Sequence, residues 1–163
     1  YQINFGKNQN GADWYVLNDN VMGGISDGSL NQTGQGTAIF KGNLSLDNNG
    51  GFSSIRSPKG GYDLSKFSGL ELKVKGDGHS YGFTLRYHMV WFRSYYKAFF
   101  ETDKNGWTTI KIPFEQFKKV RVGKVVDANP KLDLKDIKEL GIIISEKQEG
   151  PFQLEIKWIR FYR

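Results

Sequence analysis

The hexapeptide Leu70-Glu71-Leu72-Lys73-Val74-Lys75 sets an apolar residue at every even position and a charge at every odd one. Side chains of period two leave opposite faces of an extended chain, so this segment reads as a strand with one buried and one wet face. Gln153-Leu154-Glu155-Ile156-Lys157-Trp158 opens the same way, with Leu154, Ile156 and Trp158 expected on one face. Glycines fall between such segments: 20 among 163 residues, well above the usual share of about 7%. Many turns joining many short strands is the pattern of antiparallel sheet packed on one side. Expected strands span 14–17, 37–41, 52–56, 70–75, 81–92, 95–102, 107–112, 140–145 and 153–162. One helix is expected over 133–140, with Asp133 as N-cap and Gly141 after it. A single turn at 113–117 sets Phe114 and Phe117 on the same side. Nothing repeats at a fixed period and no linker divides the chain, so residues 1–163 read as one all-β domain, a single antiparallel β-sandwich.

Composition narrows the function classes. A chain this long buries roughly 70% of its unfolded surface without metal or disulfide staples. Its longest apolar run is Leu140-Gly141-Ile142-Ile143-Ile144, far below the roughly 18 residues of a membrane span, so no membrane insertion is expected. Cysteine is absent, which removes disulfides, thiolate nucleophiles and sulfur-bound zinc. The net charge of +6 favours acidic partners, yet solvated faces account for such a charge equally well. The chain begins at Tyr1, so an upstream segment is expected to have been removed or replaced, and localisation stays open.

The motifs that carry chemistry elsewhere lack their context here. Gly24-Ile25-Ser26-Asp27-Gly28 matches a hydrolase nucleophile elbow, which needs a strand before the serine and a helix after it. The residues that follow, 29–36, have turn and loop composition. His79 and His88 are nine apart and suggest no metal centre. No phosphate-binding glycine loop is present, so neither a cofactor nor a catalytic residue is assigned. Lys118-Lys119-Val120-Arg121-Val122-Gly123-Lys124 could meet phosphates, but edge strands carry Lys to prevent pairing, and that reading is favoured. Nucleic-acid binding is the weaker possibility.

Nine of the twenty residues from Tyr81 to Phe100 are aromatic, interleaved with Arg86, Arg93 and Lys97. As one strand, 81–92 would turn Tyr81, Phe83, Leu85, Tyr87, Met89 and Trp91 to the core. Thr84, Arg86 and His88 would face out. Tyr95, Lys97, Phe99 and Glu101 alternate in the next strand against Tyr96, Ala98 and Phe100. If the two strands pair through Arg93-Ser94, then Arg86, His88, Tyr95 and Lys97 form one mixed polar and aromatic recognition patch. Asp19 and Ser26 join it if their loop folds over; the favoured role for both is satisfying backbone groups.

Trp14 followed by Asn18-Asp19-Asn20-Val21-Met22-Gly23-Gly24-Ile25-Ser26 is the densest signature in the chain. With Phe40-Lys41-Gly42 and Asn49-Gly50-Gly51-Phe52-Ser53, it resembles the complex I intermediate-associated protein 30 family. The likeness continues through Gly76-Asp77-Gly78, Tyr81, Arg86, Trp107, Ile112-Pro113-Phe114, Gly123 and Gly150-Pro151-Phe152-Gln153-Leu154. Asn20 stands where the family usually has glycine, and Asn is the side chain that best tolerates a left-handed turn. The resemblance implies a jelly roll of the galactose-binding-domain type. It also implies a non-catalytic module related to assembly of respiratory complex I, most like the short bacterial members. Trp14 and Phe52 are expected in the core. The function expected is protein–protein interaction by a monomer. The alternative is a carbohydrate-binding module with a sugar site on the concave sheet face, and fold alone does not choose between them.

Overall fold

The computed structural model describes residues 1–18, 26–47, 51–90, 92–145 and 148–163. Among these the first strands are β1 (Gln2–Asn4), β2 (Tyr15–Asn18), β3 (Asp27–Gln32), β4 (Ala38–Leu44) and β5 (Ser53–Arg56). The middle ones are β6 (Gly69–Lys75), β7 (Ser80–Arg86), β8 (Tyr95–Glu101) and β9 (Trp107–Pro113). The last are β10 (Lys118–Arg121), β11 (Lys124–Asp127), β12 (Glu139–Ile144) and β13 (Gly150–Tyr162). One sheet runs β3-β4-β13-β6-β9, with β1 also on β13; the other runs β11-β10-β8-β7-β12-β5-β2. The strands pair antiparallel, and the two sheets face each other as a β-sandwich of jelly-roll type.

The alternation read from the sequence builds the core. Leu70, Leu72 and Val74 of β6 are fully buried, and so are Leu154 and Ile156 of β13. From the other sheet come Ile55, Phe83, Leu85, Leu140, Ile142 and Ile144. Phe40 and Phe152 meet edge-on with ring centroids 5.0 Å apart, an arrangement favoured by their opposed ring quadrupoles. Trp14 joins this core against Phe5, at 5.2 Å. Phe52 does not: it is only half-buried. The turn at Phe114–Gln116 is one 3₁₀ turn that buries Phe114 beside Phe117.

Several expectations fail for identifiable reasons. Trp158 leaves the face of Leu154 and Ile156, because a bulge between Ile156 and Trp158 reverses the parity of β13. Ile159 and Phe161 then take the core side, and Trp158 lies under the Arg160 guanidinium outside. Residues 133–140 form no helix. Asp133 does accept the Lys135 backbone N–H as a cap would, but Lys138 N–H donates to Arg86 C=O and Glu139 starts β12 opposite Arg86. A two-turn helix is marginal by itself, so a sheet ladder on both edges wins. Of residues 29–36 after Ser26, expected as turn and loop, 29–32 belong to strand β3 while 33–36 form the turn into β4.

Asp77, between β6 and β7, ties the two sheets together at one end. Its carboxylate accepts the Tyr81 hydroxyl from one sheet and the Gln153 backbone N–H from the other. His79 Nδ1 lies 2.8 Å from the same carboxylate. Burial alone would raise the Asp77 pKa, but the bonds from Gln153 and His79 together outweigh it and hold it below its ordinary value. A depressed carboxyl contributes stability above its unfolded pKa of about 3.9 and loses it as the pH falls through the folded value. Acidification from about pH 5 to about pH 3 should therefore destabilise the parent more than Asp77→Asn. Urea unfolding across that range measures it; equal losses in both proteins would refute the role given to Asp77.

Candidate functional site

The outward face of the seven-stranded sheet carries an unusual group of charges. Thr84 stands opposite Lys97 on one side and Gly141 on the other; Gly141 faces Arg56, and Arg56 faces Tyr15. One row across five strands is thus Lys97, Thr84, Gly141, Arg56 and Tyr15. The neighbouring row sets Arg86 opposite Glu139. A sheet exterior normally keeps such groups wet. Here Glu139 is fully buried, Lys97 is 4% exposed and Arg86 8%.

Two glycines leave room for the Lys97 and Arg56 side chains on this face. A Cβ on Gly82 would stand 2.6 Å from Lys97 Cε, and one on Gly141 would stand 2.6 Å from Thr84 Oγ1 and 3.6 Å from Arg56 Cγ. With no side chain rising at either position, the long cations lie along the sheet instead of standing off it. The Lys97 ammonium sits 4.4 Å from the Phe99 ring centroid, and the Arg86 guanidinium 3.9 Å from that of Tyr95. Both are cation–π contacts, which gain strength when water is excluded.

Glu139 organises the centre. Its Oε1 lies 3.5 Å from Arg56 Nη1, and its Oε2 accepts the Tyr15 hydroxyl at 2.7 Å. Burial, followed by the bond to Glu139, raises the Tyr15 phenol to about 12. Arg86 lies on the same face without an ion pair to any described carboxylate. Burial, followed by the neighbouring charge of Arg56, lowers its guanidinium to about 10. Its Nε is buried with no hydrogen-bond partner among the described residues.

Of the residues singled out from the sequence, Arg86, Tyr95 and Lys97 come together on this face. His88 does not. Strand β7 ends at Arg86, so His88 lies in the 87–94 connection, where its ring contacts Tyr87 and its Nε2 lies 3.4 Å from Arg93. The hairpin link is thus eight residues rather than the Arg93-Ser94 pair. Ser26 is also elsewhere: its hydroxyl donates to Ser45 C=O at 3.0 Å and accepts Ser45 N–H at 2.8 Å. Asp19 lies outside the described residues. Sequence reading missed Tyr15, Arg56 and Glu139, which are far apart in the chain; the period-two pattern placing Arg56 beside Ser54 was the available signal. Surface hollows beside residues 131–135 and beside Lys41 and Phe152 contain no buried charged residue. The β10–β11 ribbon, with Lys118 to Lys124, forms the exposed edge of the sheet.

The charge balance gives two opposite mutational expectations. Glu139→Gln strips the compensating charge from Arg56 and should destabilise by about 3 kcal/mol or more. Arg86→Met removes a buried charge that no described carboxylate pairs and keeps a flexible chain over Tyr95, so its stability should lie within about 1 kcal/mol of the parent or above it. Denaturant unfolding of both variants measures this. A large loss in Arg86→Met would make the guanidinium a structural strut.

Comparison with known proteins places this architecture. The solved structure of a family 11 carbohydrate-binding module from Clostridium thermocellum, in complex with a β-1,3-1,4-mixed-linked tetrasaccharide, superposes with a TM-score of 0.69. That match covers 99% of this chain and 95% of the module at 16% identity, which shows a shared fold. Complex I intermediate-associated protein 30 of Mus musculus is 30% identical over 166 residues, covering 90% of this chain and 51% of the mouse protein. The probable counterpart in Caenorhabditis elegans is 30% identical, covering 85% of this chain and 46% of its own length. The chain thus spans about half the length of these curated relatives. The family model for complex I intermediate-associated protein 30 matches residues 3–156, from β1 into β13, and the chain belongs to that family.

Proposed function

We propose that this protein is a non-catalytic binding module that takes part in assembly of respiratory complex I by protein–protein contact. The recognition surface is the outward face of the seven-stranded sheet. The observation that carries this reading is the group of buried charges on that face, bordered by the exposed rings of Phe99 and Tyr15. Charged donors held against aromatic rings on stiff strands are what a recognition surface needs, because little side-chain freedom remains to be lost on binding. The names of the mouse and nematode relatives support the link to complex I. A non-catalytic role agrees with Ser26, whose hydroxyl serves the Ser45 backbone and whose following residues form strand β3 rather than the helix of a nucleophile elbow.

A sugar-binding reading has one observation of its own. The Phe99 ring is 47% exposed beside polar groups on one sheet face, a placement suited to stacking on a pyranose.

Affinity capture from a detergent extract of respiratory membranes separates these readings. The parent should retain complex I subunits identifiable by mass spectrometry. Phe99→Ala with Glu101→Lys, both exposed on the proposed face, should reduce that retention about tenfold while the melting temperature holds, a loss of roughly 1.4 kcal/mol in binding. Trp107→Ala, exposed on the other sheet, should leave it intact. Equal retention by the double variant would remove this face from the account. Retention of no complex I subunit, with binding on a glycan array, would favour the sugar reading.

A further inference from the structure

We infer that Arg86, supported by Arg56, forms an oxyanion site on the outward face of the seven-stranded sheet, taking a carboxylate or phosphate group of the ligand. The inference rests on the reading of that face as the recognition surface and names the chemistry of its centre.

Four observations converge on it. Arg86 is more than nine-tenths buried, and no described carboxylate lies within ion-pair distance of its guanidinium. Glu139, the one buried carboxylate opposite it, has both oxygens engaged, one by Arg56 and the other by Tyr15. A second positive charge, Arg56, lies on the same face, with strand β12 between the two arginines. The Arg86 guanidinium is fixed over the Tyr95 ring 3.9 Å away, so its donors are already oriented. Two arginines thus flank one carboxylate, and only Arg56 is paired with it.

The remaining donors have a direction. Nε of Arg86 is sealed from solvent without a partner among the described residues, while the residue keeps 8% of its exposure. That exposure lies away from Nε, and although the Tyr95 side chain hydrogen-bonds the guanidinium, the five N–H donors of an arginine outnumber that one described partner and leave donors for a ligand. The end of a guanidinium presents two parallel N–H groups, which match the paired oxygens of a carboxylate or two oxygens of a phosphate. Lysine would supply a point charge with no such fork. An oxyanion at this position would meet the charge that the protein leaves unbalanced, in surroundings where water competes poorly.

The test uses the whole chain and simple probes. Citrate supplies carboxylates and inorganic phosphate supplies the other source, each added at constant ionic strength with chloride as control. For a site of about 1 mM affinity, a tenfold excess should raise the melting temperature by roughly 3–5 °C. The assigned Arg86 Nε–Hε resonance should move with the same concentration dependence. Both effects should vanish in Arg86→Gln, and the stronger of the two probes identifies the source. Absence of any shift in the parent overturns the site, as does a shift that persists in Arg86→Gln. If that variant does not fold, the Arg86 resonance of the parent decides alone: movement with citrate or phosphate but not chloride supports the site, and a static signal rejects it. Failure here, with complex I subunits still lost from Phe99→Ala/Glu101→Lys, would leave the recognition face standing and reject only its oxyanion chemistry.

Discussion

Backbone hydrogen bonding along β13 is the constraint on which the six-stranded sheet depends. Strand β6 occupies one edge of it over residues 155–162, while the other edge is shared, by β4 up to Ile156 and by β1 from Trp158. The bulge falls at the handover between these two partners. It adds one residue to β13, reverses which side chains face inward, and allows one strand to serve two neighbours without losing core contact. Phe152, Leu154 and Ile156 fill the interior before it, and Ile159 and Phe161 after it. The second sheet needs that inner wall, because Phe83 and Leu85 of β7 are buried on the core side while Thr84 and Arg86 face out. The outward charges are thus placed by a core packed on the opposite side of the same strands.

The parts of this arrangement legible in the sequence are those governed by local period. Leu70, Leu72 and Val74 announce β6 because each side chain's face depends only on its own position in an extended chain. The same rule misleads at Trp158, since a bulge is a property of two strands and not of one. At 133–140 local propensity favours a helix, while the decisive bond is Lys138 N–H to Arg86 C=O, between residues remote in sequence. Of the central residues, Arg86, Tyr95 and Lys97 could be read because they lie on consecutive strands. Tyr15, Arg56 and Glu139 could not, because only the strand order β7-β12-β5-β2 brings them together.

The energetics of this face differ from those of the core. Each core side chain gains by leaving water, by roughly 1.5–3 kcal/mol for a large apolar group. A buried cation loses hydration and recovers it only through partners. Arg56 has Glu139, whereas Arg86 has chiefly the face of a tyrosine. Arg86 therefore gives up hydration while its place over the Tyr95 ring keeps its donors in order.

Gly82 and Gly141 carry a consequence for how such a surface diversifies. They are the two low points of the outward face, and the cations rest where side chains would otherwise stand. Any larger residue at 82 would displace the Lys97 chain, and any at 141 would crowd Thr84 and Arg56, with the jelly-roll core left as it is. Replacing either glycine by alanine or valine would thus raise an apolar group where a cation chain or its neighbour now rests. Descendants of this scaffold can change the chemistry of that face without first rebuilding the sandwich beneath.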